Sequence, residues 1–367
     1  MHESRGLGDV YKRQAGPRVP PSAEIAEDPV GLDVEDHEAP VIAALKATPR
    51  ASEIEVRATS LNFRDVLNVL AVRDDEDPLG GECSGRIVGV GDGVEGLGPG
   101  DEVVALCAGC FASFVTTSAA LVLPKPAGLS FEEAASVPLA FLTARHALFD
   151  VGQLSADQTV LIHAAAGGVG LAAVQLARRA GATVLATAGS PAKREHLKGI
   201  GVEHVMDSRA LHFAEEARAA TSGRGVDVVL NSLTGEAIPK GLSALAAGGR
   251  FLEIGKAELW EPERVAAVRD DVTYHAIDLA GPLSREPAAF RPVLADLLGQ
   301  FSHGELQVLP STSFPLERAV DAFRYMAQAR HIGKIVVVPP ARSRVGIRPD
   351  GTYLVTGGLR GLGLLVA

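Results

Sequence analysis

The segment Thr159-Val-Leu-Ile-His163-Ala-Ala-Ala-Gly167-Gly168-Val-Gly170 limits what this chain can fold into more than any other. A short apolar strand ends in glycines, and a helical stretch over 169–180 follows at once. Glycines there let the backbone come close to a pyrophosphate, and the helix start offers unpaired amides and the positive end of its dipole. Read alone, the cluster could be an ordinary turn. Its neighbours favour more: a strand over 183–187, a helix from 191, a strand over 226–230, a helix over 238–247 and a strand over 249–254. That alternation is the grammar of an α/β fold with a doubly wound parallel sheet, and the glycine loop is the place for a dinucleotide.

Upstream the pattern differs. Glu53-Ile-Glu-Val-Arg57 alternates polar and apolar residues, the period of a half-buried strand. Gly85-Arg-Ile-Val-Gly-Val-Gly91 and Glu102-Val-Val-Ala-Leu106 continue it, with turns at Gly91-Asp-Gly93 and Gly98-Pro-Gly-Asp101, and 111–124 adds further strand signal. Short strands between such turns predict a small β-rich domain with a barrel-like curl. Residues 15–50 mix proline, acidic and small apolar residues and are expected to hold a few strands at its edge. A helix is expected over 131–150, with Ser130 as its cap and Glu132 and Glu133 in its first turn. Helices over 290–304 and 315–328 precede the strand Gly333-Lys-Ile-Val-Val-Val338, which could return to the first domain.

With 367 residues there is room for two ordinary domains, and 47% apolar content can fill their cores. A net charge of −10 argues against non-specific nucleic-acid binding. The apolar stretches are short and interrupted, and residues 1–14 lack the apolar run of a secretory signal, so a cytoplasmic protein without membrane contact is expected. Residues 1–14 also lack any helix or strand period and read as disordered or foreign to the domain. Cys83, Cys107 and Cys110 make no disulfide framework. Cys107-Ala-Gly-Cys110 has the spacing of zinc or redox sites, but no second pair or histidine pair completes a tetrahedron, so ordinary thiols and no metal are expected.

The second strand of the sheet ends Ala186-Thr-Ala-Gly-Ser190, without the acid that holds an NAD ribose, and Lys193 and Arg194 follow. Hydroxyl and cation suit a 2′-phosphate that an acid would repel, so NADPH is expected over NADH. The plainer alternative makes Lys193 and Arg194 a solvated helix face. Asn231-Ser232 ends another strand on the same ligand rim, and His163 is expected to be buried, neutral and without catalytic role.

Six segments together carry a resemblance: Leu61-Asn-Phe-Arg-Asp-Val-Leu67, Ala134-Ala-Ser-Val-Pro138, the glycine loop His163 to Gly170, Gly225-Val-Asp-Val-Val-Leu-Asn-Ser232, Gly249-Arg-Phe-Leu-Glu-Ile-Gly-Lys256 and Gln328-Ala-Arg-His-Ile-Gly-Lys334. Their order and spacing resemble the enoyl reductase domains of modular polyketide synthases and animal-type fatty acid synthases, in the medium-chain dehydrogenase/reductase superfamily. The likeness runs from near residue 50 to near 340; the first 50 residues match poorly. It implies a GroES-like β-rich substrate domain with an inserted Rossmann sheet: 15–140 as the first part of the substrate domain, 141–280 as the NADPH-binding domain, 281–338 as the return, and 339–350 as a linker.

The resemblance also implies reduction of a trans-2-enoyl thioester on acyl carrier protein, with hydride to the β-carbon and a proton to the α-carbon. It is to zinc-independent members, and the chain lacks a clear Cys/His/Cys set or a four-cysteine lobe. A developing enolate then needs hydrogen-bond donors or a cation, and its protonation an acid or an ordered water. The implied donors are Lys256 and Asp278; the plainer readings are a solvated strand-end lysine and a structural cap or salt bridge. Implied cofactor contacts are Asn62, Ala166, Gly167, Gly168, Val169, Gly170, Ser190, Lys193, Arg209, Asn231 and Ser232. Asn62 would orient nicotinamide or substrate through its amide, whereas Arg64 and Asp65 read as a structural pair.

The tail, Gly351-Thr-Tyr-Leu-Val-Thr-Gly357-Gly358-Leu-Arg-Gly361-Leu-Gly363, resembles the opening of a short-chain ketoreductase domain. The expectation is therefore a domain cut from a multidomain synthase. Acyl carrier protein and the neighbouring ketoreductase and dehydratase domains are its expected partners, with dimerisation through the parent. The rivals are a free-standing quinone or alkenal reductase of the same fold and a catalytically silent structural domain.

Overall fold

The computed structural model describes residues 51–70 and 78–340. Their first sheet begins with β1 (Ala51–Leu61), β2 (Glu82–Val90), β3 (Glu102–Leu106), β4 (Phe114–Ser118) and β5 (Val122–Pro124). β1 pairs antiparallel with both β2 and β4, and β3 pairs antiparallel with β2 and β5. Partners on both sides leave β1 almost wholly covered towards Leu61, where its early polar–apolar alternation gives way to continuous burial.

The helix expected over 131–150 is broken. Phe131–Ala135 is one short helix and Pro138–Arg145 a second, followed by a wider turn over His146–Val151. Pro138 has no amide to give to the preceding turn, so it opens a helix instead of continuing one. The Ser130 cap forms as expected: its hydroxyl accepts from the Glu133 amide at 3.1 Å, and the Glu133 carboxylate accepts from the Ser130 amide at 2.8 Å.

The second sheet holds β6 (Thr159–Ile162), β7 (Thr183–Ala188), β8 (His204–Asp207), β9 (Val226–Asn231), β10 (Leu245–Glu253) and β11 (Thr273–Ala276). All its pairings are parallel, in the order β11-β10-β9-β6-β7-β8. The chain runs outward from β6 to β8, returns to β9 and then runs the other way. The strand order therefore reverses between β6 and β9, where the strand ends of such sheets open a crevice. The two edge strands were not expected from sequence; four residues each, with polar side chains at half their positions, they carry too little periodicity.

After the helix Pro287–Ser302, β12 (Ser311–Pro315) and β13 (Lys334–Val338) rejoin the first sheet, β13 antiparallel to β1 and β12 parallel to β13. The helix expected over 315–328 starts later, at Ala319–Ala327, because Pro315 is taken into β12 and Leu316–Arg318 forms a tight turn. One apolar cluster runs through both sheets, with Val104 and Leu123 from the first, Val228 from the second, and Phe141 and Leu171 from the helices Pro138–Arg145 and Gly168–Arg179. Phe141 meets Phe301 edge-on at 4.9 Å, a geometry that adds about 0.5–1.5 kcal/mol beyond area burial. Among the described residues no helix is long and apolar enough to cross a membrane. The readings of 1–14, 15–50 and the ketoreductase-like tail lie outside the described residues, as does 341–350.

Candidate active site

Because all six strands of the second sheet are parallel, their C-terminal ends share one rim, and the candidate residues fall on it in order. Asp278 follows β11, Lys256 follows β10, Asn231 ends β9, and Ser232 follows it. The glycine loop follows β6, Ser190 and Lys193 follow β7, and Arg209 follows β8. The loop sits at the reversal point, with the reductive candidates on one side and the phosphate-binding candidates on the other.

The loop is shaped by its own backbone. Ala164 takes a left-handed φ of 48°, the Gly167 amide donates to the Ala164 carbonyl at 2.9 Å, and Gly167 becomes the N-cap of the helix Gly168–Arg179. A Cβ on Gly170 would lie 2.6 Å from the Ala165 Cα, so this position needs glycine for close approach. Ala166 is buried, while Gly167, Gly168 and Val169 stay partly accessible. The loop is also tied to the first sheet: the Gly333 amide donates to the Ala166 carbonyl at 2.8 Å, and Gly167 and Gly333 form a parallel bridge.

That tie continues into a buried ionic network. Lys334, 4% exposed, lays its stem near Gly168 and donates through Nζ to Glu82 Oε1 at 2.9 Å and Asn62 Oδ1 at 2.8 Å. Asn62 Nδ2 donates in turn to Glu82 Oε1 and the Ser60 carbonyl, and Glu82 Oε2 accepts from the Leu139 amide. Both ends of the Asn62 amide are thus engaged, and it acts here by holding Glu82 and Lys334. Asp65 accepts from the Asn62 and Gly80 amides, and burial raises its pKa. Glu82 and Lys334 were given no role from sequence. Only the pairing of β1 with β13 and β2 brings residues 62, 82 and 334 together.

On the β7–β8 side, Ser190 caps the helix Pro191–Gly199, its hydroxyl accepting from the Lys193 amide at 3.4 Å. Arg194, expected beside Lys193 as a phosphate cation, instead pairs with Asp207 at 2.9 Å and donates to the Ala188 carbonyl. Lys193 and Arg209 have no carboxylate within ion-pair reach among the described residues. Burial, then the nearby Arg209 charge, push the Lys193 ammonium below its ordinary value. His331, another residue that sequence reasoning passed over, joins them. Burial, then Lys193 and Lys334, lower it to about 4, and its Nδ1 is buried without a hydrogen-bond partner among the described residues. Lys193 and Arg209, two cations without a carboxylate partner among the described residues, favour an anionic ligand.

On the β10–β11 side, Lys256 Nζ donates to the Ile277 carbonyl at 2.6 Å and lies 3.6 Å from Asp278 Oδ1. Asp278 is exposed, and its other oxygen accepts from the Gly281 amide, so it also serves as a turn cap. Asn231 is fully buried and its amide is spent internally, accepting from the Leu233 amide and donating to the Leu233 carbonyl and Glu253. Ser232 approaches Gly255. Glu253, also missed from sequence, ends β10 with 1% exposure; burial raises it to about 8 against hydrogen bonds from Asn231 and Gly255. His163 is held neutral by burial, at about 3, with Nδ1 2.9 Å from the Thr187 hydroxyl.

The comparisons with known proteins agree with this architecture. The model described as alcohol dehydrogenase GroES-like domain matches residues 48–140, and that described as zinc-binding dehydrogenase matches 200–337. The chain is 44% identical over 340 residues to a phenolphthiocerol/phthiocerol polyketide synthase of Mycobacterium tuberculosis; the match covers 88% of this chain and 16% of that protein. Among solved structures, the CurK enoyl reductase is 46% identical with a TM-score of 0.75, covering 80% of this chain and 92% of that one. The CurF ER cyclopropanase of curacin A biosynthesis is 42% identical with a TM-score of 0.75, covering 79% and 91%. Mycobacterial Rv1454c, solved with NADPH, is 27% identical with a TM-score of 0.73, covering 80% and 94%. One family description names zinc. Among the described residues, the sole group of three or more His, Cys, Asp or Glu side chains close enough to share an ion is Cys83, Cys107 and Cys110, away from this rim on β2 and just beyond β3.

Proposed function

Since the chain belongs to the enoyl reductases of polyketide synthases, within the medium-chain dehydrogenase/reductase superfamily, we propose that it reduces a trans-2-enoyl thioester presented on acyl carrier protein, with NADPH as reductant. Bound NADPH would supply a hydride for the substrate β-carbon. The chain's own residues would do the rest. Amides of the loop around Gly167 to Gly170 would hold the diphosphate at the helix start. Ser190, Lys193 and Arg209 would receive the 2′-phosphate, with His331 close by.

Lys256 would stabilise the thioester enolate and protonate its α-carbon. Its attachment to the Ile277 carbonyl and its nearness to Asp278 support a charged, aimed ammonium. The observation that carries this reading is the order along one rim: proton donor pair, cofactor loop, phosphate cations. The expected partners are the acyl carrier protein and adjoining synthase domains, ketoreductase and dehydratase among them.

The test is NADPH oxidation with a carrier-bound enoyl thioester and mass analysis of the product. One NADPH consumed per substrate gaining two hydrogens is the expected result. Lys256→Ala should lower kcat by about 100-fold or more, the scale of a lost general acid. Asp278→Ala should lower it less, because the Ile277 carbonyl still holds Lys256. Unchanged rates in both variants would remove the donor assignment. A parent that binds NADPH yet reduces small quinones in preference to enoyl thioesters would overturn the substrate assignment.

A further inference from the structure

The three cysteines of the chain converge, although Cys107 follows Cys83 by 24 positions. The β2–β3 register sets Cys83 opposite Ala105, two residues before Cys107. The turn from Cys107 to Cys110 is fastened to the start of β2: the Cys107 amide donates to the Gly81 carbonyl at 3.1 Å and the Cys110 amide to the Gly80 carbonyl at 3.3 Å. Gly109 takes a φ of 85° in this turn, which folds Cys110 back towards Cys107. The two sulfurs are 3.1 Å apart, and all three lie within 4.8 Å of one another. Cys83 and Cys110 are fully buried among Ile54, Ile87 and Val122, while Cys107 is partly open to solvent.

We propose that Cys83, Cys107 and Cys110 form a three-thiolate site for a thiophilic d10 cation of the Zn2+ class, with water as the fourth ligand on the open side of Cys107. Tetrahedral zinc with Zn–S near 2.3 Å places sulfurs about 3.8 Å apart, a spacing between the observed 3.1 Å and 4.8 Å limits. Modest side-chain adjustment therefore completes the site. A disulfide would use two sulfurs and give the third no place, whereas here the third is delivered by a separate strand. Thiolates also select soft cations over Mg2+ or Ca2+. The step is ligand and proton exchange without electron transfer: three S–H bonds break, three metal–sulfur bonds form, three protons leave to solvent, and the hydrated cation sheds all but one of its waters. The site extends beyond the reductase reading and stands independently of it.

The full 367-residue chain, reduced and stripped by a chelator, would be titrated with Zn2+ against a chromophoric competitor and separately with Co2+ in the absence of air. One ion per chain, a cobalt–thiolate charge-transfer band, and protection of the partly open Cys107 from alkylation are expected. Cys107→Ser and Cys110→Ser should each lower affinity by more than about 100-fold, since even outer-shell losses cost 10–100-fold. The alkylation readout on the parent needs no variant to fold. Substoichiometric uptake, a Cys107 thiol equally reactive with and without metal, a variant that binds as tightly as the parent, or a reduced chain that takes up no ion and forms only a Cys107–Cys110 disulfide in air would each overturn the site.

Discussion

Glu253 ends β10 with its carboxyl enclosed, one oxygen accepting from the Gly255 amide and the other from the Asn231 amide. Burial raises its pKa from 4.5 to about 8, opposed by those bonds; Glu258 adds to the rise and Lys256 acts against it. The folded chain therefore holds a proton between pH 4.5 and about 8 that the unfolded chain releases. The stability that comes with this proton is complete below the unfolded value and is lost as pH rises through the folded one. Relative to Glu253→Gln, the parent should lose stability across that window at a slope of up to about 1.4 kcal/mol per pH unit. Urea unfolding of both proteins at pH 5 and pH 9 measures this difference, and an equal gap at both pH values would refute it. The same carboxyl shapes the turn into Lys256 through Gly255, so the residue most enclosed at the rim helps to aim the one proposed to act.

At the scale of elements, the glycine loop and the return to the first sheet are one assembly, joined by the Gly333–Ala166 hydrogen bond and the Lys334–Glu82 pair. Removing one partner of a buried ion pair leaves the other charge uncompensated. Glu82→Ala should accordingly cost about 3–5 kcal/mol in denaturant unfolding, and the NADPH dissociation constant should rise with it. Unaltered stability would show that the pair contributes little. Within the loop, Gly170→Ala drives a methyl group against the Ala165 backbone, whereas Gly168→Ala presses chiefly on the Lys334 side chain, with the Gly333 carbonyl oxygen at an ordinary 3.6 Å. Overpacking costs about 1–3 kcal/mol, so Gly170→Ala should weaken NADPH binding by about tenfold or more, and more than Gly168→Ala does. Fluorescence titration ranks the two, and the reverse order would contradict this account of the loop. The broken 131–150 helix belongs to the same scale. Its apolar content predicts burial, but Pro138 decides where it restarts, and the Leu139 amide that follows is given to Glu82.

For the whole molecule, cofactor binding and folding are linked, because a ligand held only by the native state stabilises it by about 2.7 kcal/mol at one hundred times its dissociation constant. NADPH should raise the melting temperature more than NADH at equal concentration, and the double variant Lys193→Ala, Arg209→Ala should abolish that margin. Equal shifts from the two cofactors in the parent would count against the 2′-phosphate site. The parallel sheet and its first glycine loop were legible because strand and helix periods and loop glycines are local properties of the chain. Lys256 and Asp278 were singled out through resemblance alone; the structure sets them 3.6 Å apart. The engagement of Arg194 with Asp207, the Lys334–Glu82–Asn62 network, the proton on Glu253 and the meeting of Cys83 with Cys107 were not legible. Sequence determined which residues form strands and turn through glycine, since backbone conformation responds to immediate neighbours. Tertiary structure alone decided which charges are neutralised, which are buried and which thiols meet, because those depend on strand register and on solvent exclusion by residues distant along the chain.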